Sequence, residues 1–63
     1  MKSSDRKMWK INIENAAYAV ASEYGTDVAN SVFKRYDAHD FSSLASCYYN
    51  EVFASLELLS NDN

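Results

Sequence analysis

Apolar positions recur along this chain at helical spacing. Within residues 46–59, Tyr49, Val52, Phe53, Leu56 and Leu59 step by three, one, three and three, and Ala45 extends the series backwards. On a helix these steps gather side chains onto one wide apolar face, which other parts of the chain must cover. The rest of the chain reads as that cover. Residues 6–24 place Trp9, Ile13, Ala16, Ala17, Val20 and Tyr24 on one helical face, and the alanines of the AAYAVA run allow another helix to approach closely. Residues 27–36 carry a third stripe of Val28, Ala29, Val32, Phe33 and Tyr36.

The punctuation between the stripes sets the boundaries. Gly25 stops the first helix in a left-handed cap geometry, and Thr26 serves as N-cap of the second with Asp27 in its first turn. Ser4 or Asp5 is the candidate cap of the first. Lys34 and Arg35 sit in the last turn of the second helix, where cations suit the negative end of the dipole. The tetrapeptide DAHD at 37–40 is the connection. Asp40 caps a short turn over 41–45 that points Phe41 and Leu44 inward, and Ser46 caps the third helix. The spacing therefore predicts an all-α, compact three-helix domain with an extra short helical turn, its helices near 6–24, 27–36 and 46–59. Residues 1–63 form one domain, with 1–5 and 60–63 as frayed ends. Its expected core includes Tyr24, Phe41, Leu44, Phe53 and Leu59 beside the three stripes.

A side stripe complicates the first helix. Met8, Ile11 and Tyr18 lie away from the core-facing residues. They are either buried by a second neighbouring helix or free to form a dimer or partner patch.

Composition narrows the class. A 63-residue chain buries a small share of its surface, so its core is marginal and gains from a partner or from tight helix packing. One cysteine excludes an internal disulfide, and one histidine leaves a Cys/His zinc site short of ligands. One glycine and no proline argue against a fold of hairpins. There is no apolar run long enough to span a bilayer and no apolar leader segment, so the expected setting is the reducing cytoplasm, with no membrane partner.

Charge is unevenly placed. Lys2, Arg6, Lys7 and Lys10 against Asp5 make the first ten residues basic; beyond them Lys34 and Arg35 face eight acids, and no cation follows Arg35. An acidic body with a basic head is the result. Glu14, Glu23, Asp27, Asp37 and Asp40 are the candidate partner-binding acidic surface, suited to a basic protein. Lys7 and Lys10 are the candidate phosphate contacts. The third helix offers Glu51 and Glu57 and no Lys, Arg or Gln to read base edges, so nucleic acid is the weaker partner class.

Chemistry is sparse. His39 between Asp37 and Asp40 has the donor types of a metal site, but a solvated loop with an aspartate cap accounts for the same residues. Cys47 and His39 lack an orienting third group and an oxyanion loop. Neither a nucleotide-binding nor a zinc-protease motif is present. The expectation is a protein that is not an enzyme, with no cofactor, no metal and no catalytic residue.

Residues 23–53, EYGTDVANSVFKRYDAHDFSSLASCYYNEVF, resemble short helical segments of small, mostly uncharacterised proteins from bacterial mobile elements. The likeness rests on the E-Y-G turn, the V-F-x-R-Y end of the second helix and the C-Y-Y-x-E-V-F opening of the third, and covers about half the chain. Some proteins of such elements, anti-CRISPR proteins among them, block a host nuclease by binding it. The resemblance implies a non-catalytic, acidic protein-binding inhibitor of a nucleic-acid-targeting nuclease, and it carries over no site residue. The alternatives are a DNA-binding accessory factor using the basic head and a structural homodimer joined through Met8, Ile11 and Tyr18.

Overall fold

The computed structural model describes residues 3–61. It holds three α-helices, α1 (Ser3–Tyr24), α2 (Thr26–Lys34) and α3 (Tyr49–Asn61), with a single 3-10 turn, Ser46–Tyr48, leading into α3. No strand occurs among the described residues. This is the small all-α, three-helix domain that the apolar spacing predicts.

The hub is α1 and not the stretch 46–59. Both other helices pack mainly on α1 and touch each other less. Length explains this. Twenty-two residues at 1.5 Å rise make a rod of roughly 33 Å, and the longest dimension of the molecule is 34 Å. The shorter helices lie against that rod. Ile13, Ala16 and Val20 of α1 are buried between them, joined by Ala29, Val32 and Phe33 of α2 and by Tyr49, Val52 and Leu56 of α3. Trp9, Ala17, Val28, Tyr36, Phe53 and Leu59 pack at the edge of this core, half-buried. Tyr24, expected inside, is 42% exposed. It is the last residue of α1, and the chain folds back immediately after it.

That reversal takes one residue. The Gly25 N–H completes α1 by donating to the Ala21 carbonyl at 2.9 Å, while the Gly25 carbonyl accepts from Val28 (3.2 Å) and Ala29 (3.4 Å) to start α2. Gly25 thus caps α2 itself, displacing Thr26 from the expected cap to the first helical position. Its φ of 103° and ψ of 155° are not the expected left-handed helical geometry but an extended, positive-φ region that only glycine enters at little cost. A Cβ there would meet nothing within 4 Å, so the demand for glycine is torsional and not one of space.

α2 ends at Lys34, two residues short of expectation. The Ala38 N–H reaches back to Phe33 O (3.1 Å) and the Asp37 N–H to Lys34 O (3.1 Å), with Asp37 at φ 62°. This pair of bonds is a Schellman cap with aspartate in the position glycine usually fills. The cap turns Ala38 inward, where it is buried against the core. Asp40 then behaves as the sequence predicts. Its Oδ1 accepts from the Ser43 N–H at 3.1 Å, and Ser43 Oγ accepts in return from the N–H groups of His39 (2.9 Å) and Asp40 (3.3 Å). This reciprocal capping holds the turn that buries Phe41 and Leu44.

The connection returns the chain to the first half of α1. Phe41 stacks on Tyr49 with ring centroids 4.8 Å apart, and Trp9 meets Tyr49 and Phe53, each at 6.1 Å. The Arg6 guanidinium lies 5.3 Å from the Phe41 ring centre, so a cation of the basic head lids this aromatic cluster. Ser46 is not a side-chain cap. Ala45 occupies the cap position, and one 3-10 turn intervenes before α3. Both ends of the helical body exceed expectation: Ser3, Ser4 and Asp5 are helical, as are Ser60 and Asn61. Asp5 thereby falls in the first turn of α1, where its charge favours the helix, instead of before it. The remaining frayed-end residues, 1–2 and 62–63, and with them Lys2 of the basic head, lie outside the described residues.

Candidate functional site

Met8, Ile11 and Tyr18 are not covered by any helix. They are 54%, 59% and 76% exposed. The neighbours of α1 meet the face of Ile13, Ala16 and Val20, and at 100° per residue Ile11 and Tyr18 point nearly the opposite way. Of the two alternatives, burial by a second neighbouring helix does not occur. An uncovered apolar row along the longest helix takes its place.

Beside this row runs a groove of about 330 Å³ between α1 and α2. Glu14, Ala17, Tyr18 and Ala21 form its α1 wall, and Thr26, Ala29, Asn30 and Phe33 its α2 wall. His39, Asp40 and Phe41 close one end. Alanines at 17, 21 and 29 leave the space. On helices that come together within one residue of Gly25, larger side chains would fill it. Tyr18 belongs both to the groove and to the exposed row, so the two features are continuous.

The predicted acidic surface divides. Glu14 and Asp40 both line the groove. Glu23 stands in the last turn of α1, Asp27 in the first turn of α2 and Asp37 in the cap after α2, all exposed and none lining the groove. The two groove acids differ in mobility. Oδ1 of Asp40 takes both the Ser43 N–H and, at 3.2 Å, the Ser43 hydroxyl, which fixes the carboxylate through one of its oxygens. Among the described residues Glu14 is held by Lys10, Nζ to Oε1 3.6 Å, a surface pair of small energetic weight.

The basic head is partly committed elsewhere. Arg6 lies on Phe41 and Lys10 on Glu14, which leaves Lys7 as the described cation of the head with no such contact. Asp40 engages one carboxylate oxygen in the turn, and among the described residues no three His, Cys, Asp or Glu side chains come together to hold a metal ion. Cys47 is exposed in the 3-10 turn. No described helix is long and apolar enough to cross a membrane.

Sequence reasoning missed the groove. Its walls come from Ala17 and Ala29, which periodicity assigns to the core face, and from Ala21, which it does not, and only the angle of α2 on α1 decides which of them meet protein. Ala16 and Ala29 are buried, while Ala17 and Ala21 are left partly open. Comparison of the chain with protein-family models, with curated proteins and with solved structures finds no match to any of them.

Proposed function

We propose that this domain is a non-catalytic protein-binding module that docks through the outward row of α1 and the acid-edged groove beside it. The observation that carries the reading is the exposure of Met8, Ile11 and Tyr18. A chain this small has few large apolar side chains to spare from its core, yet three stand in line on the solvent side of its longest helix. Burying them serves a partner, since it does not serve the fold. Acid at Glu14 and Asp40 favours a basic partner surface.

The narrower reading is an inhibitor of a host nuclease that targets nucleic acid. Its support is the likeness of residues 23–53 to proteins of mobile elements, together with the acidic body, which complements a channel built for phosphates. Direct DNA binding through the head is the weaker reading, because α3 carries Glu51 and Glu57 and no Lys, Arg or Gln to read base edges.

The test is affinity capture from bacterial lysate, with and without nuclease treatment, comparing the natural chain with Ile11→Arg. The expected result is a stoichiometric protein that survives nuclease treatment and is lost with Ile11→Arg, whose melting temperature matches the natural chain. Recovery of nucleic acid alone would overturn the reading, as would a partner retained undiminished by Ile11→Arg.

A further inference from the structure

The α1–α2 groove has a shape and a charge pattern that together select one kind of occupant. At about 330 Å³ it sits at the small end of ligand clefts, which run from roughly 300 to 1,000 Å³. That is room for one or two side chains of a peptide and not for a packed helix. Its walls are apolar where Ala17, Ala21, Ala29 and Phe33 line it, and acidic where Glu14 and Asp40 do. Tyr18, 76% exposed, stands at the mouth with a free ring face.

We propose that the groove receives an arginine side chain from a basic segment of the partner protein. This rests on the protein-binding reading and specifies its chemistry. An arginine matches the apolar and the acidic parts of the lining. Its methylene stem lies along the alanines, since long cationic side chains bury their stems on apolar surface while the head stays at a polar edge. Its guanidinium meets the carboxylates of Glu14 and Asp40, and Tyr18 offers an aromatic face to the same cation. Asp40 is preorganised for this, its carboxylate already fixed through Oδ1 by Ser43. Glu14 is not: Lys10 Nζ lies 3.6 Å from its Oε1 and occupies part of the place the incoming cation takes. Lys10 is therefore an internal competitor, and removing it should tighten binding. A role for Lys10 as a stabilising surface pair predicts no such gain.

The experiment is a titration of the isotope-labelled full chain, followed by backbone amide shifts, with a capped tetrapeptide Ala-Leu-Arg-Ala. A second peptide carries citrulline, the neutral isostere, in place of arginine. The expected result is saturable shifts at Ala21, Ala29 and Asn30 with a dissociation constant on the order of 1 mM, and little response to the citrulline peptide. Glu14→Gln combined with Asp40→Asn should weaken binding about tenfold, as for two exposed ion pairs; asparagine keeps the cap at 40, so the turn is preserved. Lys10→Ala should strengthen it severalfold. Equal binding of the two peptides, shifts confined to the Met8 and Ile11 region, or a Lys10→Ala variant that binds no better would each overturn the proposal. The two readings fail separately. A chain that captures its partner but does not prefer the arginine peptide overturns this proposal alone. One that prefers the arginine peptide but captures no protein overturns the wider reading alone.

Discussion

On the inner side of α1, Ile13 and Val20 lose all their accessible surface; two residues before Ile13, Ile11 keeps 59% of its own. The two isoleucines share a helix, a backbone conformation and a side chain. They differ by the 200° of helical rotation that two residues make. α2 and α3 both approach from the side of Ile13, where alanines at 16 and 29 let the backbones come close, and no described element covers the other side. Apolar character therefore has two meanings on one helix. On the inner face it holds the fold together. On the outer face most of the apolar surface of Ile11 and Tyr18 stays accessible.

The contrast can be broken most directly at Ile13. Ile13→Ala removes a fully buried side chain, and such truncations cost about 2–5 kcal/mol. In a domain whose whole stability is on the order of 3–9 kcal/mol, that is enough to lower the melting temperature by ten degrees or more, or to unfold the chain. Thermal melting followed by circular dichroism reads this. A shift of only a degree or two would mean that the inner face is not the one that holds the helices together.

A smaller effect of opposite sign is expected away from both faces. Asp37 holds φ 62° in the cap after α2, a geometry in which a Cβ is strained. Asp37→Gly should raise stability by about 0.5–1 kcal/mol, the strain relieved less the added freedom of glycine in the unfolded chain. Chemical denaturation measures it, and a loss of stability would show that the aspartate side chain supports the cap.

The smallest effect is expected on the outer face. Ile11→Asn should leave stability within about 0.5 kcal/mol of the natural chain. A destabilisation comparable to that of Ile13→Ala would erase the distinction between the faces and with it the case for a docking row. A neutral change in stability joined to loss of partner capture would sharpen it.

The positions that caught the local structure are those whose physics is local. Asp40 as a cap is legible because its carboxylate needs only the N–H of Ser43, three residues on. Gly25 as a stop is legible because a positive φ is a property of one residue. The cap details were less so. Thr26 is a good capping side chain, but the one-residue reversal gives the cap position to Gly25. Ser46 is also a good one, but Phe41 and Leu44 must stay in the core while the chain turns towards α3, and a 3-10 turn takes up the difference.

By itself the sequence determined that the chain is helical, that there are three helices, roughly where each begins and ends, and which stripes are apolar, because the spacing of side chains on a helix follows from helix geometry alone. Only the tertiary structure decided which helix is central, that Tyr24 stays outside, that Met8, Ile11 and Tyr18 face solvent, and that Glu14 and Asp40, 26 residues apart in sequence, line one groove. Those outcomes depend on how three rods of unequal length lie against one another. That arrangement is set by the sum of many contacts across the core, and no single residue or local pattern carries it.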